Sequence, residues 1–110
     1  MKVSDIQTLD DFKSFTLIYL AEADYKVTEE EKEIILQHVS LEKYQLIQSL
    51  IDRLSDFECL EVISEFRNTY LSDQKVLAEF VEEMEELYNA NKHKSILEKN
   101  MIMALKKVLY

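Results

Sequence analysis

A chain of 110 residues with no Gly and no Pro leaves little room for hairpins, whose turns need residues that reach positive φ, and lacks the two residues that most often interrupt helices. Its 22 acids against 13 bases give a net charge of −9, which excludes a general affinity for nucleic acid, and a hydrophobic content of 47% excludes a chain too poor in apolar side chains to fold. These numbers point to one all-α domain over residues 1–110, with nothing Pro-, Gly- or Ser-rich to divide it.

Apolar residues recur at helical spacing, and segment starts are marked by Ser or Thr with an acid three residues later, the capping-box pattern. The spacing predicts helices over 8–24, 28–39, 41–54, 56–70, 73–91 and 95–109. The first carries Phe12, Phe15, Leu17, Ile18, Tyr19 and Leu20 around most of its circumference and is expected at the centre. The second opens on the box Thr28–Glu31 and puts positions 31, 34, 35 and 38 on one inward face, with His38 packed at its end. The third starts at Ser40. The fourth opens on the box Ser55–Glu58 and holds the lone Cys59 in line with Val62 and Phe66, where a small buried residue is expected.

The fifth, from Ser72–Asp73, has Leu77, Phe80, Met84, Leu87 and Tyr88 on one side and Glu79, Glu82, Glu83 and Glu86 on the other. That acidic face reads either as solvated surface or as a docking face for a basic protein segment. The sixth opens on the box Ser95–Glu98 and is the basic one: residues 92–110 carry +4, whereas residues 1–91 carry −13. It is expected to lie against the acidic body.

One cysteine allows no internal disulfide, and Asp5, Asp10 and Asp11 occupy the place where a signal peptide would be apolar, so a cytoplasmic address is expected. The uncharged stretch 14–21 is well short of the ~20 apolar residues of a membrane span.

At an offset of 67 residues, Leu20, Ala23, Glu31, Lys32 and Ile35 recur as Leu87, Ala90, Glu98, Lys99 and Ile102. Both copies straddle a predicted helix-turn-helix at the same phase. A bundle of about six helices containing two pseudo-symmetric hairpins is therefore expected. The stretch Leu20–Ile35, an apolar helix ending in Ala21, Ala23 and Asp24, then a short turn, then Glu29, Glu30, Glu31, Ile34 and Ile35, resembles the TerB-like domains of tellurite-resistance operons and of a membrane-anchored DnaJ co-chaperone. The chain departs from that pattern at Tyr25 and Lys92, where the family commonly has Gly, and at Asn91, where it has Asp. The resemblance implies an all-helical, non-catalytic module of a stress-related system whose acidic positions have been proposed to bind metal.

Five carboxylates fall between Glu22 and Glu31. Glu22 and Asp24 stand at the partly negative end of the first helix, and a hard cation such as Ca²⁺ or Mg²⁺ held by Asp24, Glu31 and Glu22 would relieve their repulsion from the acids that follow. The same residues also have a purely structural reading: Asp24 and Asn91 as helix C-caps, Glu31 and Glu98 as the third members of their capping boxes. The turn lacks the Asp-rich loop and Gly of an EF-hand, and neither His38 nor His93 belongs to the Glu-x-x-His pattern of a di-iron bundle. Neither a Gly-rich phosphate loop nor a nucleophile with a recognisable base is present. Two functions follow as expectations: a weak cation-binding module at Asp24, Glu31 and Glu22, or a metal-free adaptor that docks a basic protein segment on an acidic surface extended by Glu79, Glu82, Glu83 and Glu86.

Overall fold

In the computed structural model, which describes residues 1–22, 28–90 and 96–110, a 3-10 turn at Val3–Asp5 is followed by α1 (Leu9–Ala21), α2 (Glu29–Leu36), α3 (Leu41–Asp52), α4 (Asp56–Tyr70), α5 (Gln74–Ala90) and α6 (Ile96–Leu109). Among the described residues there is no strand, as a chain without hairpin residues predicts. All six expected helices are present. Most are trimmed at their ends because a cap residue lies outside the helix it starts, while the 3-10 turn was not expected.

The local reasons for these helices are visible at their starts. The hydroxyls of Thr28 and Ser55 accept from the backbone N–H of Glu31 and Glu58, whose carboxylates accept in return from the backbone N–H of Thr28 and Ser55. Ser40 caps α3 through Lys43 N–H at 3.2 Å, and a box that the sequence reading overlooked, Thr8–Asp11, starts α1. Each such cap stabilises by about 0.5–2 kcal/mol. The box Ser95–Glu98 lies outside the described residues. Without Gly, helices α1, α3 and α4 end at Glu22, Arg53 and Leu71, all with negative φ. These ends need no left-handed residue.

Packing is organised around α1. Phe12, Phe15, Ile18 and Ala21 are wholly buried, Leu17, Tyr19 and Leu20 nearly so, and α1 packs against all five other helices. Even Thr16 is fully buried, its hydroxyl donating to the Phe12 carbonyl at 3.0 Å, so the helix has almost no face for water. The Phe12 ring lies 5.8 Å from that of Tyr70 on α4 and 6.1 Å from that of Phe80 on α5, which joins three helices through one side chain. The outer helices show the expected stripes: on α5, Leu77, Phe80, Met84 and Leu87 are buried while Glu79, Glu82 and Glu86 are exposed.

Three pairs of positions at the 67-residue offset share a degree of burial, whereas Lys32 is half-buried and Lys99 exposed. Leu20 and Leu87 are buried, as are Ile35 and Ile102, and Ile34 and Met101 are both half-buried. The turns that would relate the two copies fall at residues 23–27 and 91–95, outside the described residues. Polar clips tie elements distant in sequence: the Arg67 guanidinium donates to the Leu109 carbonyl at the end of α6, Arg53 to the Met1 carbonyl, and Tyr70 Oη to the Ile6 carbonyl at 3.4 Å. Arg67 thereby places a cation at the partly negative terminus of α6.

Asp11 is the busiest of these polar groups. Its Oδ2 accepts from the backbone N–H of Gln7 and Thr8 at 3.1 and 3.2 Å, and its Oδ1 pairs with the Lys43 ammonium of α3. Burial works to raise this carboxyl, yet the Lys43 ammonium and the donors from Gln7 and Thr8 outweigh it and hold the group below the ordinary carboxylate value. A lowered value means stability that is present above about pH 4 and is lost as acid titrates the folded group. Asp11→Asn should therefore lower the unfolding free energy by about 1 kcal/mol at neutral pH, with the gap from wild type closing as pH falls toward about 2 in chemical denaturation. A gap independent of pH would show that the ion pair contributes nothing.

Candidate functional site

Beside the last turn of α1, between it, α2 and α3, lies a cleft of about 710 Å³. The last turn of α1 supplies Tyr19 and Glu22, and the first turns of α2 supply Glu29 and Lys32. From α3 come Leu41, Tyr44, Gln45, Gln48, Ile51 and Asp52, whose three- and four-residue spacing puts them on one side of the helix. Leu54, Asp56 and Met101 of α6 complete the wall. Four carboxylates therefore face one ammonium across a lining that also offers aliphatic side chains and two tyrosines.

Glu22, one of the three residues expected to hold a cation, is half-buried. Burial raises its carboxyl above the ordinary value; a hydrogen bond from Gln48 works against this, and the charge of Asp52 adds to it. Tyr19 Oη donates to Asp56 Oδ1 at 3.3 Å. Its phenol is pushed far up by burial, and further by Asp56 and Cys59. The Cys59 thiol is 1% exposed and is pushed up to about 12 by burial and by Asp56, Glu58 and Glu22, in keeping with the expected inert core position. Tyr44 is raised by burial and then by Glu22 and Glu31, so both of those carboxylates act on its hydroxyl.

Of the three residues expected to hold a cation, Glu22 lines the cleft, Glu31 is fully buried at the start of α2, and Asp24 lies outside the described residues. Glu31 Oε1 accepts from both the backbone N–H and the hydroxyl of Thr28, at 3.1 and 3.0 Å, so this oxygen performs the capping role. Among the described residues, no three His, Cys, Asp or Glu side chains converge closely enough to hold a metal ion.

The four acids expected on α5 are divided by the fold. Glu79, Glu82 and Glu86 are exposed, whereas Glu83 is half-buried and stands 3.5 Å from the Lys13 ammonium, which lies 5.9 Å from the centre of the Phe80 ring. His38 follows α2 in the turn Gln37–His38 and is exposed beside Lys13 and Glu83, instead of packed as the spacing predicts. The backbone N–H groups of Gln37 and His38 donate to the carbonyls three residues back, Ile34 and Ile35, so the chain tightens after Leu36 and His38 leaves the inward face.

Sequence reasoning missed the α3 contribution. Gln45, Gln48 and Asp52 form a polar stripe that by spacing alone is indistinguishable from the solvated side of an amphipathic helix. No helix among the described residues is long and apolar enough to cross a membrane. Compared with known proteins, the chain matches no family model, no curated sequence and no solved structure.

The raised carboxyl of Glu22 carries the opposite pH sign from Asp11. Its folded value lies above the unfolded one, so folding is favoured most below about pH 4 and loses stability as pH rises through the folded value. Glu22→Gln, which keeps a partner for Gln48, should leave the protein at least as stable as wild type at pH 7, with the two converging below about pH 4 in denaturant titrations. A net loss at pH 7 would show that the charge of Glu22 is held favourably.

Proposed function

We propose that this chain is a non-catalytic adaptor that receives a basic segment of a partner protein in the cleft between α1, α2 and α3. The observation that carries this reading is the lining itself: Glu22, Glu29, Asp52 and Asp56 against Lys32, in a concavity whose volume falls within the ~300–1,000 Å³ of ligand clefts. An ion with oxygen ligands at about 2.0–2.6 Å needs far less space. Leu41, Ile51, Leu54 and Met101 suit the methylene stem of a Lys or Arg side chain whose head reaches the carboxylates. The phenol of Tyr19, which lines the cleft, is held protonated by burial and the neighbouring Asp56, so it offers no base there, which supports binding without catalysis. The TerB-like pattern of residues 20–35 supports the same kind of role, a binding module in a stress-related system.

A lysine-rich octapeptide followed by amide chemical shifts tests this. Shifts should concentrate on Gln45, Gln48, Asp52 and Asp56, weaken with added salt, and require about tenfold more peptide in Asp52→Asn/Asp56→Asn. If Glu79→Gln/Glu82→Gln/Glu86→Gln weakens binding and the cleft variant does not, the adaptor surface is α5 instead. The competing occupant is a divalent cation at Asp24, Glu31 and Glu22, whose binding would relieve the repulsion among the five carboxylates from Glu22 to Glu31. Calorimetric titration with Ca²⁺, Mg²⁺, Mn²⁺ and Zn²⁺ decides that reading: heat in wild type that disappears in Asp24→Asn supports it, and no heat in either protein rejects it.

A further inference from the structure

Helices α5 and α6 pack together with only residues 91–95 between them, a connection length that joins antiparallel neighbours. Their seam is marked by the Lys106 ammonium on the Glu85 carboxylate. On α5 the exposed acids Glu79, Glu82 and Glu86 form a stripe, and on α6 the exposed residues Lys99, Met103, Lys107 and Tyr110 form another, with Met103 51% and Tyr110 68% exposed. At about 100° per residue, Glu82 and Glu86 lie roughly 60–100° around α5 from Glu85, and Met103 and Lys107 lie the same angle, in the same sense, around α6 from Lys106. In antiparallel helices, equal rotations away from a shared seam open onto one face. An acidic stripe and a basic, partly apolar stripe therefore flank the seam side by side.

We propose that this face is self-complementary and pairs two copies of the chain about a two-fold axis running along the helices, α5 of each copy lying over α6 of the other. Such a rotation sets Glu82 and Glu86 of one copy against Lys107 of its mate, and the reverse contact is made at the same time, as an isologous interface requires. Among the described residues, none of Glu79, Glu82, Glu86, Lys99 and Lys107 takes part in an ion pair within the chain, while Glu83 and Glu85 do. The charges left over are thus the ones that the second copy meets. Met103 and Tyr110 supply apolar area beside them.

Size limits the strength of this pairing. Two helices of 17 and 14 residues present a face about 25 Å long and about 20 Å wide, so the dimer buries on the order of 1,000 Å² in total, the lower limit for a specific interface. The association is therefore weak and depends on protein concentration. The repulsion between two copies of net charge −9 is long-ranged and is screened beyond about 8 Å at physiological salt, whereas the stripe contacts act inside that distance.

Sedimentation equilibrium of the full chain in about 0.15 M salt, at up to about 1 mM protein, tests the proposal. Wild type should show a reversible monomer–dimer equilibrium, and Glu82→Gln/Glu86→Gln should weaken it about fivefold. Glu82→Lys/Glu86→Lys and Lys99→Glu/Lys107→Glu should each remain monomeric with unchanged helical circular dichroism. An equimolar mixture of those two should dimerise again, because each then meets opposite charge on both helices. A wild type that stays monomeric throughout, a charge-reversed variant that pairs like wild type, or a mixture that fails to associate would each overturn it. The cleft plays no part in these outcomes, so they are independent of what occupies it.

Discussion

The whole molecule depends on hiding one helix from water on every side. α1 presents Phe12, Phe15, Leu17, Ile18 and Leu20 in different directions, and each such side chain contributes about 1.5–3 kcal/mol when taken out of water. Together they match the entire net stability of a typical domain, about 5–15 kcal/mol, whereas an exposed ion pair contributes about 0–1 kcal/mol. Covering a cylinder on all sides takes several helices, and the other five in this chain all touch it. The charged surface is what remains on their outward faces.

The two ends of α1 show how one backbone treats equivalent charges differently. At its N-terminus Asp11 receives backbone N–H groups and an ammonium, so ionisation is favoured despite burial. At its C-terminus Glu22 is half-buried, which opposes ionisation, and the carboxylate of Asp52 adds to this while Gln48 works against it. The cleft opens beside Glu22, between the last turn of α1, the first turn of α2 and one side of α3.

Much of the architecture was legible in the residues. The absence of Gly and Pro, the boxes at Thr28–Glu31 and Ser55–Glu58, and the apolar phase of each segment are local properties, and local properties fix helices. The stripe of α5 was readable for the same reason. His38 was not, because its place depends on how α2 unwinds at Gln37, and Glu83 was not, because its partner Lys13 is 70 positions away. The Thr8–Asp11 box has the same spacing as the others, but Asp10 and Asp11 entered the sequence reading only as charges that argue against a signal peptide.

What the sequence determined by itself is therefore the set of helices, their inward faces and the central place of α1, because each follows from side chains within a few turns of one another. Only the tertiary structure decided that Tyr19, Glu22, Gln48, Asp52 and Asp56 line one cleft, and that acidic and basic stripes flank the seam of α5 and α6. Those groupings arise from how whole helices are rotated and offset when they close over α1, and that arrangement is set by the packing of buried side chains from distant parts of the chain. Periodicity gives the face of each helix but not which other helix that face will meet.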